Sequence, residues 1–535
     1  MKNTIILCAG KSKFSDSLAM VPVNGKPVIG WILDDLFQKG ILDLVMVIRP
    51  QDRRLTDFVH WAYDQRMKIS LVSPGGESIL HSVQAGLRDC ETGCPIRIIL
   101  GDTLIRDGFT DTADFVYTGI VEDARRWCLV TTSAQGEVLE YIDKPGSFAP
   151  SQVALAGYYH LGDGDFLRQV LLESLRENER ELSAMLRRYG KKYPIRARQA
   201  QDWYDFGHID NLVDARRRLL HPRFFNALSI HPVVNTITKV SDNNQKLQDE
   251  LDWYLALPDD LQALTPRILR HENVNGCIRI VQEYYGYPTL AELYVYGDLD
   301  IEIWESILRK VWMVHREFLQ HRGELSDAEI DDIYMGKTLE RVRALSRNPY
   351  WASLLDKPEI QFNGQPLRNV HQILAVLAPD IKRLAVSAPV GIIHGDFCFS
   401  NILFDINNQI IRLIDPRGRF GRKGIYGDLR YDIAKLRHSI SGLYDFILAD
   451  MFTVSEVASG IFSGRVFTNG IQPSLKDYFD YLVEQDGYSL REVRLIEGLL
   501  FISMLPYHQD HLDRQKMLYL AGLVLLNEVI DENCN

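Results

Sequence analysis

A chain of 535 residues is too long for one hydrophobic core, and its length indicates two or three domains. Apolar residues make up 46% and charged residues 24%, which is typical of globular proteins and excludes long disordered or fibrous segments. The formal charge is -11, and no run of lysine and arginine is long enough to follow a nucleic-acid backbone. We therefore expect no nucleic-acid partner.

The cysteines and the apolar runs indicate the compartment. Seven cysteines are scattered without a CxxC pair, which fits a reducing compartment better than a disulfide framework and argues against zinc. The apolar run at residues 5–9 is too short for the core of a signal peptide. No later apolar run reaches about 18 residues, so we expect no membrane span. The sequence predicts a cytoplasmic protein.

The first 220 residues alternate between short apolar runs and amphipathic stretches. The apolar runs predict strands at residues 4–9, 42–48, 69–72 and 96–100. The amphipathic stretches predict helices at residues 27–40, 55–65 and 78–87. This alternation predicts an α/β fold of the Rossmann type, a parallel sheet covered by helices that binds its ligands at the carboxyl ends of the strands.

Two acidic residues mark that edge of the predicted sheet. Asp102 directly follows the strand at 96–100, and Asp205 comes much later, in the segment DWYDFG. Between them lie the segments DKP at 143–145 and AGY at 156–158, and the opening of the chain contains VPVNGKP at 21–27. We expect the two carboxylates to meet at the ligand crevice.

This order of segments resembles the nucleotidyltransferases that make nucleotide sugars and CDP-choline, over essentially the whole of the first domain. The resemblance implies that Asp102 and Asp205 bind magnesium and that Lys144 contacts the phosphate of the acceptor. It also implies that the opening loop, beginning at Gly10, wraps a second nucleoside triphosphate, CTP or UTP. In this chemistry an acceptor phosphate oxygen attacks the α-phosphorus and pyrophosphate leaves.

The opening loop departs from the pattern of the family. Members supply one arginine and one lysine to the triphosphate, whereas Phe14 and Leu18 are among the corresponding residues here. Lys11, Lys13 or Lys26 is left to replace them as a point charge. A loop without the two cations stabilises the transition state poorly, so two alternatives stay open: an active nucleotidyltransferase, or a domain that only binds its ligand.

The second half of the chain begins near residues 219–222, where an arginine-rich helical stretch ends at His-Pro. Residues 224–230 and 233–240 predict two strands, and residues 246–257 predict a helix.

Lys239 lies at the end of the second of these strands, and Glu250 lies on the helix. A lysine that reaches nucleotide phosphates needs a helix carboxylate to hold it, so we pair these two residues. Lys246, Asp249 and Asp252 lie nearby and are alternatives.

The middle of the second half is predicted to be mainly helical. The strand at 277–281 leads to Glu283, in a segment that resembles a hinge whose backbone reads adenine. Helices are predicted at 304–318 and 327–345. The triplet GKT at 336–338 is not a phosphate loop, because the required glycine five residues before it is absent.

The segment from residue 392 to 418 carries the strongest chemical signal. An apolar strand ends at His394, an irregular turn carries Asp396 and, five residues later, Asn401, and a second apolar strand leads to Asp415. Phosphoryl transfer needs a carboxylate that accepts the proton of a hydroxyl, and an amide oxygen and a second carboxylate that hold magnesium. We therefore assign Asp396 as the catalytic base and Asn401 and Asp415 as metal ligands. Loop acids beside a buried histidine would explain HGD alone, but not the whole stretch.

This segment resembles the catalytic segment of the aminoglycoside phosphotransferase and choline kinase family, in which Gly395 replaces the arginine of protein kinases. The resemblance implies a bilobal kinase-like fold that uses ATP and Mg²⁺. Asp428 or Asp432 could hold an ammonium or hydroxyl group of the acceptor, although a helix N-cap explains Asp428 equally well. The pattern of residues 444–535 predicts amphipathic helices and indicates no catalytic or binding residue. We divide the chain into a nucleotidyltransferase-like domain, a kinase N-lobe and a kinase C-lobe, at 1–220, 221–285 and 286–535.

The two domains together describe consecutive steps of one pathway. We expect a bifunctional enzyme that phosphorylates a small alcohol or sugar and couples the phosphate to a nucleotide, for bacterial capsule or lipopolysaccharide synthesis. A kinase with a ligand-binding but inactive first domain is the alternative, and a non-catalytic pair of binding domains is a third. The acceptor stays open between choline, ethanolamine, a polyol and a sugar, and the oligomeric state is not predicted.

Overall fold

The computed structural model describes residues 2–10, 17–108, 113–145, 152–219, 226–231, 233–241, 243–274 and 277–532. Two compact units follow each other along the chain, Met1–Leu219 and Leu220–Asn535. Lys11, Lys13 and Phe14 lie outside the described residues, as does most of the predicted seam at 219–222.

The first unit contains thirteen strands and six helices among its described residues. The strands are β1 (Thr4–Leu7), β2 (Pro22–Val23), β3 (Lys26–Pro27), β4 (Asp43–Val47), β5 (Lys68–Val72), β6 (Ile96–Leu100), β7 (Thr103–Ile105), β8 (Phe115–Val121), β9 (Cys128–Thr132), β10 (Val138–Asp143), β11 (Gln152–Leu161), β12 (Arg196–Gln199) and β13 (Trp203–Asp205). The helices are α1 (Val28–Gln38), α2 (Arg53–Tyr63), α3 (Ile79–Asp89), α4 (Gly164–Arg176), α5 (Leu182–Gly190) and α6 (Ile209–Arg218).

A nine-stranded sheet organises this unit. The strands β6, β1, β4 and β5 are parallel neighbours, as the alternation of strands and helices predicts. Most side chains of β1, β4 and β6 are buried, as in Ile5, Val45 and Ile98, because helices cover the sheet, whereas those of the edge strand β5 are partly exposed. The other part of the sheet was not predicted: β11 runs antiparallel to β6, β8 and β9. The α/β class is confirmed, and the sheet is mixed rather than purely parallel.

The second unit contains fourteen strands and thirteen helices among its described residues. The strands are β14 (Asn226–His231), β15 (Thr236–Ser241), β16 (Ile268–Val274), β17 (Cys277–Glu283), β18 (Glu359–Phe362), β19 (Gln365–Arg368), β20 (Val390–Ile392), β21 (Ile402–Asp405), β22 (Ile410–Leu413), β23 (Arg419–Phe420), β24 (Arg422–Lys423), β25 (Tyr426–Asp428), β26 (Phe452–Ala458) and β27 (Ile461–Val466). The helices are α7 (Asn244–Ala256), α8 (Asp259–Gln262), α9 (Leu290–Tyr296), α10 (Ile301–Gln320), α11 (Asp327–Asp331), α12 (Lys337–Leu345), α13 (Pro349–Leu355), α14 (Val370–Val386), α15 (Leu429–Ile440), α16 (Tyr444–Leu448), α17 (Gln472–Gln485), α18 (Leu490–Met504) and α19 (Leu512–Asp531).

This unit begins with an antiparallel sheet and continues as a mainly helical body. The sheet has the strand order β14-β15-β17-β16, and α7 packs against it through Leu247 and Leu251. The catalytic segment lies in the helical body, on the short strands β20 to β22. Helix α10 buries Trp304, Leu308 and Trp312, the apolar stripe of the predicted helix at 304–318.

One of two predictions for the helical body was wrong. The predicted helix at 327–345 forms as one continuous helical run, in which a π-helical turn at Asp332–Gly336 connects α11 to α12. Residues 444–535 are not all helical, because β26 and β27 form an antiparallel hairpin there. Its sequence alternates between apolar and polar residues and contains Thr453, Val454 and Val457, which is typical of strands. Within the described residues, none of the helices has both the length and the apolar character that crossing a bilayer requires.

Candidate active sites

The catalytic loop of the second unit is held in position by buried groups. The backbone amides of His394 and Gly395 donate to the carboxylate of Asp432, at 2.6 and 2.9 Å. Gly395 has φ +78°, and a Cβ at this residue would lie 2.8 Å from the Cβ of Arg417, so a glycine is required twice over. Burial lowers the pKa of His394 to about 4, which keeps its imidazole neutral. The fixed backbone at His394 and Gly395 therefore holds the next residue, Asp396, in a defined position.

Asn401 links this loop to the predicted metal position. Its Nδ2 donates to the backbone oxygen of Asp396 at 2.9 Å and to the Oδ2 of Asp396 at 3.1 Å. These two bonds fix the amide, and its Oδ1 is buried without a hydrogen-bond partner among the described residues. A fixed amide oxygen without a donor suits a hard cation such as Mg²⁺. Asp415, which comes just after β22, has the uncommon φ of +57°.

Lys239, on β15, contacts carboxylates from two separate parts of the second unit. Its Nζ lies 2.6 Å from the Oε1 of Glu250 and 2.5 Å from the Oδ1 of Asp415. Burial alone would lower the pKa of Lys239, but the two carboxylates outweigh it and raise that pKa, so the side chain stays charged. Of the alternative acids, Asp249 lies 2.8 Å from Arg419 and Asp252 pairs with Lys423. The structure thus brings Lys239 together with Glu250.

Glu283 lies at the end of β17, where the hinge was predicted. Its carboxylate accepts a hydrogen bond from the hydroxyl of Tyr285 at 2.8 Å and pairs with Arg267 at 3.3 Å. The backbone N–H groups of Glu283 and Tyr284 donate to the carbonyls of Arg267 and Asn235. Neither amide is therefore open to adenine, and the side chain of Glu283 is engaged within the protein.

The charges around Asp396 differ from those that the sequence suggested. Asp428 caps α15 and pairs with Arg430 at 2.7 Å, and it is fully buried, so it does not face an acceptor. Asp432 holds the catalytic loop instead. Lys435, which the sequence analysis missed, places its Nζ 2.9 Å from the Oδ1 of Asp396. Burial would raise the pKa of Asp396, but Lys435 and Arg417 outweigh burial and hold that pKa far below its usual range.

In the first unit, the pairing of β13 with β7 brings the two predicted metal ligands together. Asp205 is in register with Thr103, the neighbour of Asp102, and the amide of Phe206 donates to the carbonyl of Asp102 at 2.9 Å. A Cβ on Gly207 would lie 2.7 Å from the Oδ2 of Asp102 and 3.4 Å from the Oδ1 of Asp205. The two carboxylates therefore flank one small space beside this glycine.

These two carboxylates fit a magnesium ion that also binds substrate oxygens. Burial and the charge of Asp205 raise the pKa of Asp102 to about 6, which a cation would reverse. The Oδ2 of Asp205 also accepts from Asn211 and pairs with His208, both at 2.7 Å. In the part of the chain that the structure describes, no group of three or more His, Cys, Asp or Glu side chains could hold a metal. An ion here would thus need phosphate and water oxygens, as Mg²⁺ commonly does.

A cleft of about 520 Å³ adjoins Asp205 and contains aromatic residues that the sequence analysis did not select. The ring of Trp127 lies 4.7 Å from that of His208 and 5.2 Å from that of Trp203. Arg126 and Arg218 also line the cleft. Flat aromatic faces and cations are suited to a base, a sugar ring or a phosphate.

The three other predicted contacts of the first unit lie in different surroundings. Gly10 is exposed just after β1. The Nζ of Lys26 lies 2.5 Å from the Oδ2 of Asp34, so its charge is already paired. Lys144 has φ +44°, and its exposed Nζ lies 3.8 Å from the Oε1 of Glu181. Of these residues, Lys144 is the one with a largely free cationic end at the rim of the domain.

Two family models match the chain in the order that the motifs predict. The model described as "Nucleotidyl transferase" matches residues 15–221. The model described as "Phosphotransferase enzyme family" matches residues 233–443. These matches confirm the predicted fusion and show that both domains belong to enzyme families.

Curated relatives match the first domain. A low-salt glycan biosynthesis nucleotidyltransferase, Agl11 of Haloferax volcanii, is 22% identical over 216 residues, which are 38% of this chain and 60% of the relative. A UTP–glucose-1-phosphate uridylyltransferase, YngB of Bacillus subtilis, is 25% identical over 230 residues, covering 35% of this chain and 77% of the relative. The solved structure of a UDP-glucose pyrophosphorylase with UDP-glucose is 19% identical, with a TM-score of 0.36, and covers 41% of this chain and 98% of that one.

Proposed function

Because the chain joins a nucleotidyltransferase domain to a phosphotransferase domain, we propose that it catalyses two consecutive steps of one synthesis. The second unit transfers the γ-phosphoryl group of ATP to a hydroxyl of a small alcohol or sugar. The first unit couples the resulting phosphate to a nucleotide and releases pyrophosphate. The observation that carries this proposal is the set of contacts that pair Asn401 with Asp396 and Lys239 with Asp415, with the amide of Ile414 donating to the carbonyl of Asn401 between them.

In the kinase step, the acceptor oxygen bonds to the γ-phosphorus while the bond from that phosphorus to the β–γ bridging oxygen breaks, and ADP leaves. Asp396 orients the hydroxyl and receives its proton. Its low pKa suits a loose transition state, in which the hydroxyl proton is lost late. Lys239 binds the nucleotide phosphates, and Asn401 and Asp415 would hold Mg²⁺, which neutralises the charge on the transferred group.

In the nucleotidyl step, an oxygen of the new phosphate ester bonds to the α-phosphorus of the second triphosphate while the bond from that phosphorus to the α–β bridging oxygen breaks, and pyrophosphate leaves with that oxygen. Asp102 and Asp205 would hold the magnesium ion, and Lys144 would bind the incoming phosphate ester. The names of the two relatives refer to glycan biosynthesis and to uridylyl transfer to glucose 1-phosphate, and they support a sugar phosphate and UTP, with CTP as the other candidate. They also support a role in surface-polysaccharide synthesis, such as that of a bacterial capsule or lipopolysaccharide.

The second candidate function is a kinase whose first domain binds a nucleotide-linked ligand without turnover. Two observations favour it. Lys26, one of the lysines able to replace the missing loop cations, is paired with Asp34. Leu18 begins a short 3₁₀ turn and brings no charge. If the triphosphate lacks cationic partners, the transition state loses much of its electrostatic stabilisation.

One experiment tests both candidates. Full-length protein is given ATP, Mg²⁺, an acceptor panel, and CTP or UTP, and the release of ADP and of pyrophosphate is followed separately. Asp396→Asn should abolish ADP release but leave pyrophosphate release intact when the phosphorylated acceptor is supplied. Asp102→Asn should do the reverse, so each variant controls for the folding of the other. Kinase turnover in Asp396→Asn would refute the assignment of the base. If wild-type protein releases ADP but never pyrophosphate, the second candidate is correct.

A further inference from the structure

Cations that phosphoryl transfer itself does not require cluster near Asp396. Tyr431 and Lys435 lie one turn apart on the same face of α15. Lys435 is 9% exposed and contacts Asp396, whose side chain is 36% exposed, so the pair opens toward solvent. Arg417 donates to the hydroxyl of Tyr431 at 2.7 Å. Lys435 thus contacts the base, and Arg417 adds a second positive charge close to it.

A second pair of cations comes from α12. Lys337 and Arg341 are four residues apart and therefore share one face of this helix. The Nζ of Lys337 lies 3.3 Å from the hydroxyl of Tyr431. The guanidinium of Arg341 lies 4.9 Å from the ring centre of Tyr507, which is 61% exposed, and its Nε has no hydrogen-bond partner among the described residues. Helix α12 thus extends the cationic lining from the base toward solvent.

The neighbouring carboxylates do not balance these charges. Asp432 is committed to the backbone of the catalytic loop, and Asp428 is committed to Arg430. In the described part of the chain, Asp396 is the one carboxylate that forms a salt bridge with any of these four cations. Burial would raise the pKa of Tyr431, but Arg417 and Lys337 lower it to about 7, in keeping with the cations around it. Partly buried cations that outnumber their carboxylate partners are costly, so a ligand that neutralises them is expected.

We propose that the acceptor of the kinase unit is an anion: a hydroxyl compound that also carries a carboxylate or a phosphate. Lys337 and Arg341 bind this anionic group. Lys435 lies between the group and Asp396 and contacts both. Contact with the anion draws Lys435 from the Oδ1 of Asp396, and this frees that oxygen to accept the hydrogen bond of the acceptor hydroxyl. A cationic acceptor such as choline is disfavoured by the same charges. This proposal rests on the proposed kinase function.

The first test compares acceptors that share a skeleton and differ in charge. The hexose series is glucose, glucosamine, glucuronate and glucose 6-phosphate. The three-carbon series is glycerol, serinol, glycerate and glycerol 3-phosphate. With full-length protein, ATP and Mg²⁺, an anionic member should exceed its neutral and cationic counterparts in kcat/KM by at least about tenfold. The carboxylate and phosphate members identify which anion the site takes.

The outcomes separate this inference from the proposed function. Preference for the neutral or cationic member of a series overturns the inference and leaves the kinase function standing. Absence of ADP release with every acceptor, beyond that seen with Asp396→Asn, overturns the kinase function and this inference with it.

The second test separates acceptor binding from stabilisation of the transferred phosphoryl group. Lys337→Met should raise KM for the best anionic acceptor about 10- to 100-fold, with kcat and the KM for ATP changed less than about threefold. The neutral member of the same series should be unaffected. Lys382→Met, an exposed lysine on α14, is the matched control and should behave as wild type. An equal loss with neutral and anionic acceptors would show that Lys337 acts on the phosphoryl group and would overturn the inference.

Discussion

The contact between Lys239 and Glu250 allows a sharp test of how the kinase unit binds ATP. Both side chains are buried, at 6% and 4% exposure, and the Nζ lies 2.6 Å from the Oε1. We change Glu250 to Gln, which keeps the shape of the side chain and removes its charge. Lys239 then keeps one carboxylate partner, Asp415, at 2.5 Å. We expect the lysine to shift toward Asp415 and away from the nucleotide phosphates.

The size of the effect follows from the contact that is lost. Across about 3 Å at an effective dielectric constant of about 20, the attraction is on the order of 5 kcal/mol. Most of it is offset by the cost of burying both charges, and hydrogen bonds to charged groups contribute about 1.5–3 kcal/mol net. Since each 1.4 kcal/mol is a factor of ten, kcat/KM for ATP should fall about 10- to 150-fold. Because Lys239 then competes for Asp415, half-maximal activity should need more Mg²⁺.

The assay measures ADP release while ATP and Mg²⁺ are varied separately. Asp249→Asn is the matched control: it removes the same charge one residue earlier on α7, where the carboxylate contacts Arg419 instead. We expect the control to stay within about threefold of wild type. Thermal unfolding of both variants shows whether any loss comes from the fold. If Glu250→Gln retains full kcat/KM for ATP, or if the control loses as much, the pairing does not position Lys239.

Two further predictions concern the stability of the kinase unit. Burial lowers the pKa of His315 from 6.5 to about 4, so the unfolded state binds the proton more tightly. The contribution of neutral His315 to the free energy of unfolding is fully present above pH 6.5 and is lost as the pH falls toward 4, by on the order of 3 kcal/mol. In urea unfolding, the free energy of unfolding of His315→Gln should decline less over this range than that of wild type. An equal decline in both proteins would contradict the assignment. Arg437 is buried and pairs with Asp480 and Glu497. Arg437→Met should lower the free energy of unfolding by about 3–5 kcal/mol, because it leaves buried carboxylates without a cation. The double variant Arg437→Met/Glu497→Gln should recover part of this loss. An unchanged urea midpoint in the single variant would refute the prediction.

The sequence predicted which residues of the kinase loop lie together because that loop is local. Asp396, Asn401 and Asp415 lie within one strand–turn–strand segment, so their spacing alone constrains where their side chains meet. The pairing of Lys239 with Glu250 could also be predicted, because a strand followed directly by a helix limits which carboxylate can reach the lysine. The sequence left Asp249 and Asp252 open as alternatives, and the structure excludes them because they pair with Arg419 and Lys423.

The first unit was predictable only in part, because its candidate site depends on residues that are far apart in the chain. Asp102 follows a buried parallel strand, and this position is a reliable signal of a ligand-binding edge. Asp205 joins it through the β13–β7 pairing, about one hundred residues later in the chain, which no periodicity encodes. The antiparallel half of the sheet was missed because β11 is long and pairs with three different strands. Such long-range pairing depends on tertiary packing rather than on local pattern.

The cations in front of Asp396 show why substrate choice is harder to predict than reaction type. Lys337 and Arg341 repeat at four residues on α12, and Tyr431 and Lys435 do so on α15, and either stripe alone is typical of a solvated helix face. They form one site only because the fold brings two helices together whose contacting residues are 94 positions apart. Under the proposed function, the transfer chemistry is therefore encoded in one contiguous segment, and the proposed acceptor preference in separate helices. Substitutions on α12 can consequently change which acceptor is bound while leaving Asp396, Asn401 and Asp415 in place.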